Sequence, residues 1–229
     1  VLREIFRKLG RSWADGIYHL SYGMVDLPSG KMKSREGTVV DADDLIKEIV
    51  EEAEMATKAL GKLDDYNSED ARQLYHDLGM GALKYFILKV DPKKRMLFNP
   101  AESIDLNGNT GPFIQYTHAR IQSVLRKGGE RISSGFSGHV ISSEERKVIK
   151  LIYQYQEILA AATNTLSPAI MANYAYDLAK AFNHFYHDHV IVDANAPETT
   201  SFRLGLSSMV AKMIQESLRL LGIHAPERM

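Results

Sequence analysis

Cysteine is absent from the 229 residues. A disulfide framework, a thiolate metal site and a cysteine nucleophile are therefore all excluded, and the composition fits a reducing compartment. No apolar run approaches the roughly 20 residues that span a bilayer, and no charged-then-apolar leader opens the chain. The sequence reads as a soluble, cytoplasmic protein with no membrane partner. An excess of either charge is missing too, since 28 Lys and Arg against 29 Asp and Glu leave a formal net charge of −1. Wholesale binding to nucleic acid would show as a basic excess, whereas a local basic patch stays open. Lys93-Lys94-Arg95 and the set Arg120, Arg126, Lys127 and Arg131 are such clusters. On composition alone they read as solvated faces and a turn.

What the chain does have is an ordinary soluble balance, 45% hydrophobic and 25% charged, enough for one large core or two modest ones. Leu2, Ile5, Phe6 and Leu9 already run at helical spacing up to Gly10, so the chain reads as starting inside an element, as a fragment would. Residues 16–25 are rich in β-branched and aromatic types and predict a strand, with Thr38-Val39-Val40 as a second. Between them Leu27-Pro28-Ser29-Gly30 is a turn signal. Asp41 or Asp43 can cap a helix carrying Leu45, Ile46, Ile49, Val50 and Ala53 on one face.

Beyond about residue 66 the pattern is helical. Ser68 and Asp70 are candidate caps for a stripe of Leu74, Tyr75, Leu78, Ala82 and Phe86. Residues 91–112 are irregular, and a helix is predicted from Pro112 to Lys127, proline suiting a first helical position. A glycine- and serine-rich link runs from Gly128 to Gly138. Three further helices follow: one from Ser143, one from Ser167-Pro168, and one that ends at Gly222. Apolar stripes this regular are bundle core far more often than cofactor contacts. His184, His187, Asp188 and His189 are the one metal-like cluster. Offsets of three and two cannot bring the three histidines to one helical face, so no metal site is assigned. Trp13, the only tryptophan, reads as a core or strand-edge aromatic.

Two segments carry chemistry-bearing types. Lys31-Met32-Lys33-Ser34-Arg35-Glu36-Gly37 gathers three cations and a hydroxyl between glycines at 30 and 37. Such a loop suits a triphosphate and the charge that develops on a leaving pyrophosphate, although a solvated hairpin connection fits the residues as well. On the helix from Pro112, at 100° per residue, Ile114, His118, Ile121 and Leu125 share a core-type face. Phe113, Tyr116, Arg120, Val124 and Lys127 fall on another. Aromatics beside cations stack unpaired RNA bases and hold phosphates. The competing reading packs Phe113 and Tyr116 on a neighbouring helix and pairs Arg120 with a carboxylate.

Several motifs, in order, resemble one family. Gly30 to Gly37 looks like the Lys-Met-Ser-Lys-Ser loop of class I aminoacyl-tRNA synthetases, in the form found in arginyl-tRNA synthetases. Gly108-Asn109-Thr110-Gly111-Pro112-Phe113-Ile114-Gln115-Tyr116, Tyr176 to Tyr186 and the end Leu220 to Met229 resemble the same family, over nearly the whole chain. The resemblance implies a mainly α fold: the helical bundle of a class I synthetase anticodon-binding domain, preceded by a small α/β remnant of the Rossmann-type catalytic domain. It implies residues 1–66 as the end of the catalytic domain, 67–111 as a helical connector in the stem-contact region, and 112–229 as an all-α, DALR-type anticodon-binding domain. It implies arginine attached to its tRNA through an arginyl-adenylate, with ATP and Mg2+ used by the intact enzyme and none expected bound to this fragment.

By position in the motifs, Lys31, Lys33, Ser34 and Arg35 would face the ATP phosphates, and Gly23, Met24 and Val25 the adenine. Phe113, Tyr116, Arg120, Tyr186 and Met229 would face the anticodon. Lys33 and Ser34 stand where the usual motif has its first Ser and second Lys, so the group that supplies the second cation stays open. The family's His-Ile-Gly-His-like signature is nowhere in the chain, so this polypeptide by itself is expected to be inactive without an N-terminal catalytic half. The alternative is a non-catalytic tRNA-binding module derived from a synthetase.

Overall fold

A computed structural model describes residues 1–26, 41–59, 67–129 and 139–229. Its helices are α1 (Leu2–Lys8), α2 (Ala42–Ala59), α3 (Ser68–Leu88), α4 (Pro100–Ser103), α5 (Gly111–Gly128), α6 (Ser143–Thr165), α7 (Pro168–Asp188) and α8 (Pro197–Leu220). Two-residue strands β1 (Val25–Asp26) and β2 (Met96–Leu97) pair in parallel, Val25 with Met96 and Asp26 with Leu97. The Arg95 guanidinium grips both carboxylate oxygens of Asp26 across this pair.

The caps explain where the helices begin. Asn67 accepts from the backbone N–H groups of Glu69 and Asp70, at 3.0 and 2.8 Å, and so caps α3 in place of the expected Ser68 or Asp70. Asp41 accepts from Asp43 N–H at 2.9 Å. Thr110 caps α5, and Ser142 forms a reciprocal capping box with Glu145 at the start of α6.

Two apolar clusters result. α5, α7 and α8 bury Ile114, Ile121, Leu178, Phe182, Phe185, Leu204, Val210, Ile214 and Leu218, with α6 laid over the outside. α2, α3 and α4 bury Ile49, Ala53, Leu74, Leu78 and Phe98. The expected strand over 16–25 is confined to Val25 and its neighbour. A short 3-10 turn, Ala14–Gly16, and extended chain fill the rest; among the described residues the only strand beside it is Met96–Leu97. Trp13 is 55% exposed with its ring 4.8 Å from Phe6, so it is a surface aromatic and no core residue. The loop 31–37, the strand expected at 38–40 and most of the link 128–138 lie outside the described residues.

The clusters are joined where α3 crosses α5. A Cβ on Gly111 would come within 2.3 Å of the Gly81 carbonyl oxygen, and one on Gly81 within 2.3 Å of the Gln115 amide oxygen. Backbone cannot yield as a flexible side chain can. Gly111→Ala should therefore cost about 1–3 kcal/mol of stability, read as a fall in urea midpoint. Gly16→Ala, which meets nothing within 4 Å, should stay within about 0.5 kcal/mol of the parent.

Candidate nucleic-acid interface

A groove of about 1000 Å³ opens between the middle of α5, the end of α7 and the two chain segments 187–192 and 228–229. Tyr116 and Arg120 line it from α5 and Tyr186 from α7, with Arg126, Lys127 and Arg228 adding cations. Tyr116 and Arg120 are i and i+4 on one helix, and so are stacked one turn apart. The Arg120 guanidinium lies 4.8 Å from the Tyr116 ring centre and 5.3 Å from that of Tyr186. One cation is thus held between two aromatic faces.

Among the described residues no carboxylate pairs with that cation; Arg120 donates instead to the Asn183 side-chain oxygen. Asn183 in turn donates to Thr117 Oγ1 at 2.8 Å, which fixes the amide's orientation. The positive charge therefore stays available to a phosphate or a base. Asp188 is the acid on the rim. Its hydrogen bond from His187 at 2.9 Å holds its carboxyl below the usual range.

Of the expected anticodon residues, Tyr116, Arg120, Tyr186 and Met229 line this groove. Phe113 does not: it is half-buried against Tyr176, ring centres 5.5 Å apart. Asn183 and Arg228 were not singled out by the sequence. Asn183 sits three residues before Tyr186 on the same helical face, a spacing that could have flagged it. Arg228 lies beside Met229 in the motif. Of the wall at 189–192 only His189 was singled out by the sequence, and as part of a metal-like cluster.

Both walls rest on buried polar groups. Glu145, fully buried, accepts from Arg203 Nε at 2.8 Å, His139 Nε2 at 2.9 Å and Ser142 N–H at 2.8 Å. Arg203 also donates to the Val190 carbonyl at 2.7 Å, tying down the 189–192 wall. Burial raises the Glu145 pKa, but these three donors outweigh it and bring it to about 2. On the other side, His118 is fully buried and its Nδ1–H donates to the Pro226 carbonyl at 2.9 Å. Its Nε2 accepts from Gln122 at 3.2 Å. Burial pushes the His118 pKa below its ordinary 6.5, against the pull of that carbonyl.

Of the expected adenine residues, Gly23 N–H donates to the Pro92 carbonyl at 2.6 Å, and a Cβ there would meet the Lys94 oxygen at 2.0 Å. Met24 accepts from Met96 N–H at 3.0 Å, and Val25 packs on the α2–α3 cluster. Lys31, Lys33, Ser34 and Arg35 lie outside the described residues. Among the described residues no group of three or more His, Asp or Glu could hold a metal ion, and no helix is long and apolar enough to cross a membrane.

The groove on the α5–α8 bundle is lined by aromatics and cations, a combination suited to unpaired RNA. The sequence profile of the DALR anticodon binding domain family matches residues 114–229. Arginine–tRNA ligases of Parabacteroides distasonis and Flavobacterium psychrophilum are 52% and 53% identical over the whole chain, which spans 39% and 38% of their lengths. The solved arginyl-tRNA synthetase of Thermus thermophilus superposes with a TM-score of 0.86 at 26% identity, over 99% of this chain and 38% of that one. The chain belongs to the DALR anticodon-binding domain family and corresponds to the C-terminal region of arginyl-tRNA synthetases.

Two pH effects follow. The His118 fold favours the neutral ring, so its stabilisation is complete above pH 6.5 and declines as pH falls from 6.5 towards the lower folded value. Glu145 favours the ionised form, so its contribution is complete above 4.5 and is lost between 4.5 and about 2. Urea midpoints measured from pH 8 to pH 3 should fall in both windows. His118→Asn should flatten the upper one and leave the lower.

Proposed function

We propose that this chain is the anticodon-binding and loop-bearing portion of a cytoplasmic arginine–tRNA ligase, which joins arginine to its tRNA through arginyl-adenylate. The Arg120 guanidinium between Tyr116 and Tyr186 carries the reading. Unpaired anticodon bases would stack on the tyrosines while Arg120, Arg126, Lys127 and Arg228 meet phosphates. Met229 would close the groove, and Phe113 would back α5 against Tyr176.

In this reading residues 112–229 form the anticodon unit, 67–111 the connector and 1–66 the end of the catalytic domain. Lys31, Lys33, Ser34 and Arg35 would meet the phosphates of ATP with its Mg2+, and Gly23, Met24 and Val25 would lie by the adenine. The apolar surface near the start supports an N-terminal catalytic half as a partner. Leu2, Ile5, Leu9, Trp13, Tyr18, Leu20 and Tyr22 are all exposed, more than a solvated face carries without a partner surface.

Filter binding of arginine tRNA, with a changed-anticodon tRNA as control, tests the groove. Tyr116→Ala should weaken binding about tenfold to a hundredfold, the range of one lost base stack. Arg120→Ala should weaken it and lower the salt dependence by about one ion. Parental binding by both variants would remove the groove from consideration. Mixing the chain with a separately expressed N-terminal half should restore ATP–pyrophosphate exchange in the presence of tRNA. Neither part should show it alone, and no exchange in the mixture would reject the partner assignment.

A further inference from the structure

We propose that Gln115 and His118 are positioning residues: they clamp the segment Gly222–Met229 as one wall of the groove, so that RNA binding depends on two side chains that face away from it. This rests on the reading of the groove given above.

After the turn at Leu221–Gly222 the chain has no regular structure, yet Ile223, Ala225 and Pro226 are buried while His224 is exposed. It runs as an irregular strap with one side in the core. Such a strap on a helical surface leaves its carbonyls without ladder partners, and such groups must be satisfied some other way. Here side chains do it, one carbonyl after another. Lys84 donates to Gly222 O, Gln115 Nε2 to His224 O at 2.7 Å, His118 Nδ1 to Pro226 O at 2.9 Å and Arg126 to Glu227 O at 3.2 Å.

Three of these donors, with Gln122 behind His118, occupy positions 115, 118, 122 and 126 of α5. Steps of three and four make a single polar stripe along one helix. The stripe runs from the α3 crossing straight to the groove. Its first member is also tied to α3, since Gln115 Nε2 donates to Asp77 O at 3.0 Å and His224 Nδ1 to Asp77 Oδ2 at 2.8 Å. Past the last clamp come Arg228 and Met229, and both line the groove. The stripe therefore sets where those two residues stand.

The test uses the full chain, a chain ending at Pro226, and the substitutions His118→Leu and His118→Asn in each. Asn keeps an N–H donor close to the Nδ1 position; Leu has none. Carboxypeptidase release of Met229 reads the clamp without RNA, filter binding reads the groove, and circular dichroism reads helix content. In the full chain His118→Leu should speed release at least tenfold and weaken arginine-tRNA binding about tenfold, at unchanged helix content. His118→Asn should restore both. In the chain ending at Pro226, His118→Leu should have no further effect on binding, because the residues it positions are gone.

Unchanged release overturns the clamp. Faster release with parental tRNA affinity overturns the positioning role, as does an equal loss of binding in the shortened chain. If the parent binds no tRNA, the functional reading falls, and the carboxypeptidase rates still decide whether the clamp exists.

Discussion

The Gln115 side-chain amide is the joint on which the rest of this structure depends. It is fully buried, and its nitrogen donates to the Asp77 carbonyl of α3 and to the His224 carbonyl of the final segment. Its oxygen is turned onto Gly81 and has no hydrogen-bond partner among the described residues. Such an amide is tolerable because both N–H donors of the nitrogen are used, on the Asp77 and His224 carbonyls. It also demands that α3 and α5 come close, which Gly81 and Gly111 permit. One side chain thereby links the α2–α3 cluster, the α5–α8 cluster and the chain end.

Fixing the walls matters because the groove's chemistry is weak piece by piece. A cation–π contact contributes about 0.5–2 kcal/mol and a base stack about 1–3 kcal/mol. Such increments add up only if the groups are already in place when RNA arrives, since ordering loose side chains on binding would offset them. Asn183 and Thr117 hold Arg120, Arg203 and Glu145 hold the 189–192 wall, and the α5 stripe holds the last residues. A net charge of −1 is no obstacle. Arg120, Arg126, Lys127 and Arg228 are grouped at the groove, and screening confines their field to about 10 Å in ordinary salt.

Much of this was legible in the sequence, and the limits have physical causes. The helical stripes of α3 and α5–α8 could be read because apolar periodicity is a local property. Tyr116 and Arg120 could be paired because i and i+4 are neighbours on any helix. The segment 16–25 misled because β-branched and aromatic residues favour a pleated surface only when a partner strand supplies it. Trp13 misled similarly, since an aromatic reads as core whether or not its cover is present. Asn67 displaced Ser68 as a cap by a single residue, below what composition resolves, and Asp70 by three. That Arg203 holds the 189–192 wall was not legible, because nothing local announces which backbone carbonyl a distant arginine will hold.

The choice of polar clamps under the strap has its own logic. An apolar interface would hold Ile223 and Ala225 in the core but leave the strap free to slide, since apolar burial is not directional. Directional donors at 115, 118 and 126 accept only one register, because each must meet its own carbonyl. His118 sharpens this further. With Nδ1–H committed to Pro226 O, its Nε2 must accept, and Gln122 is the donor that meets it. Sliding the strap would leave a buried donor and a buried carbonyl unpaired, about 1–3 kcal/mol for each group. If the groove takes unpaired bases as proposed, the placing of one arginine and one methionine there needs that single register more than additional stability.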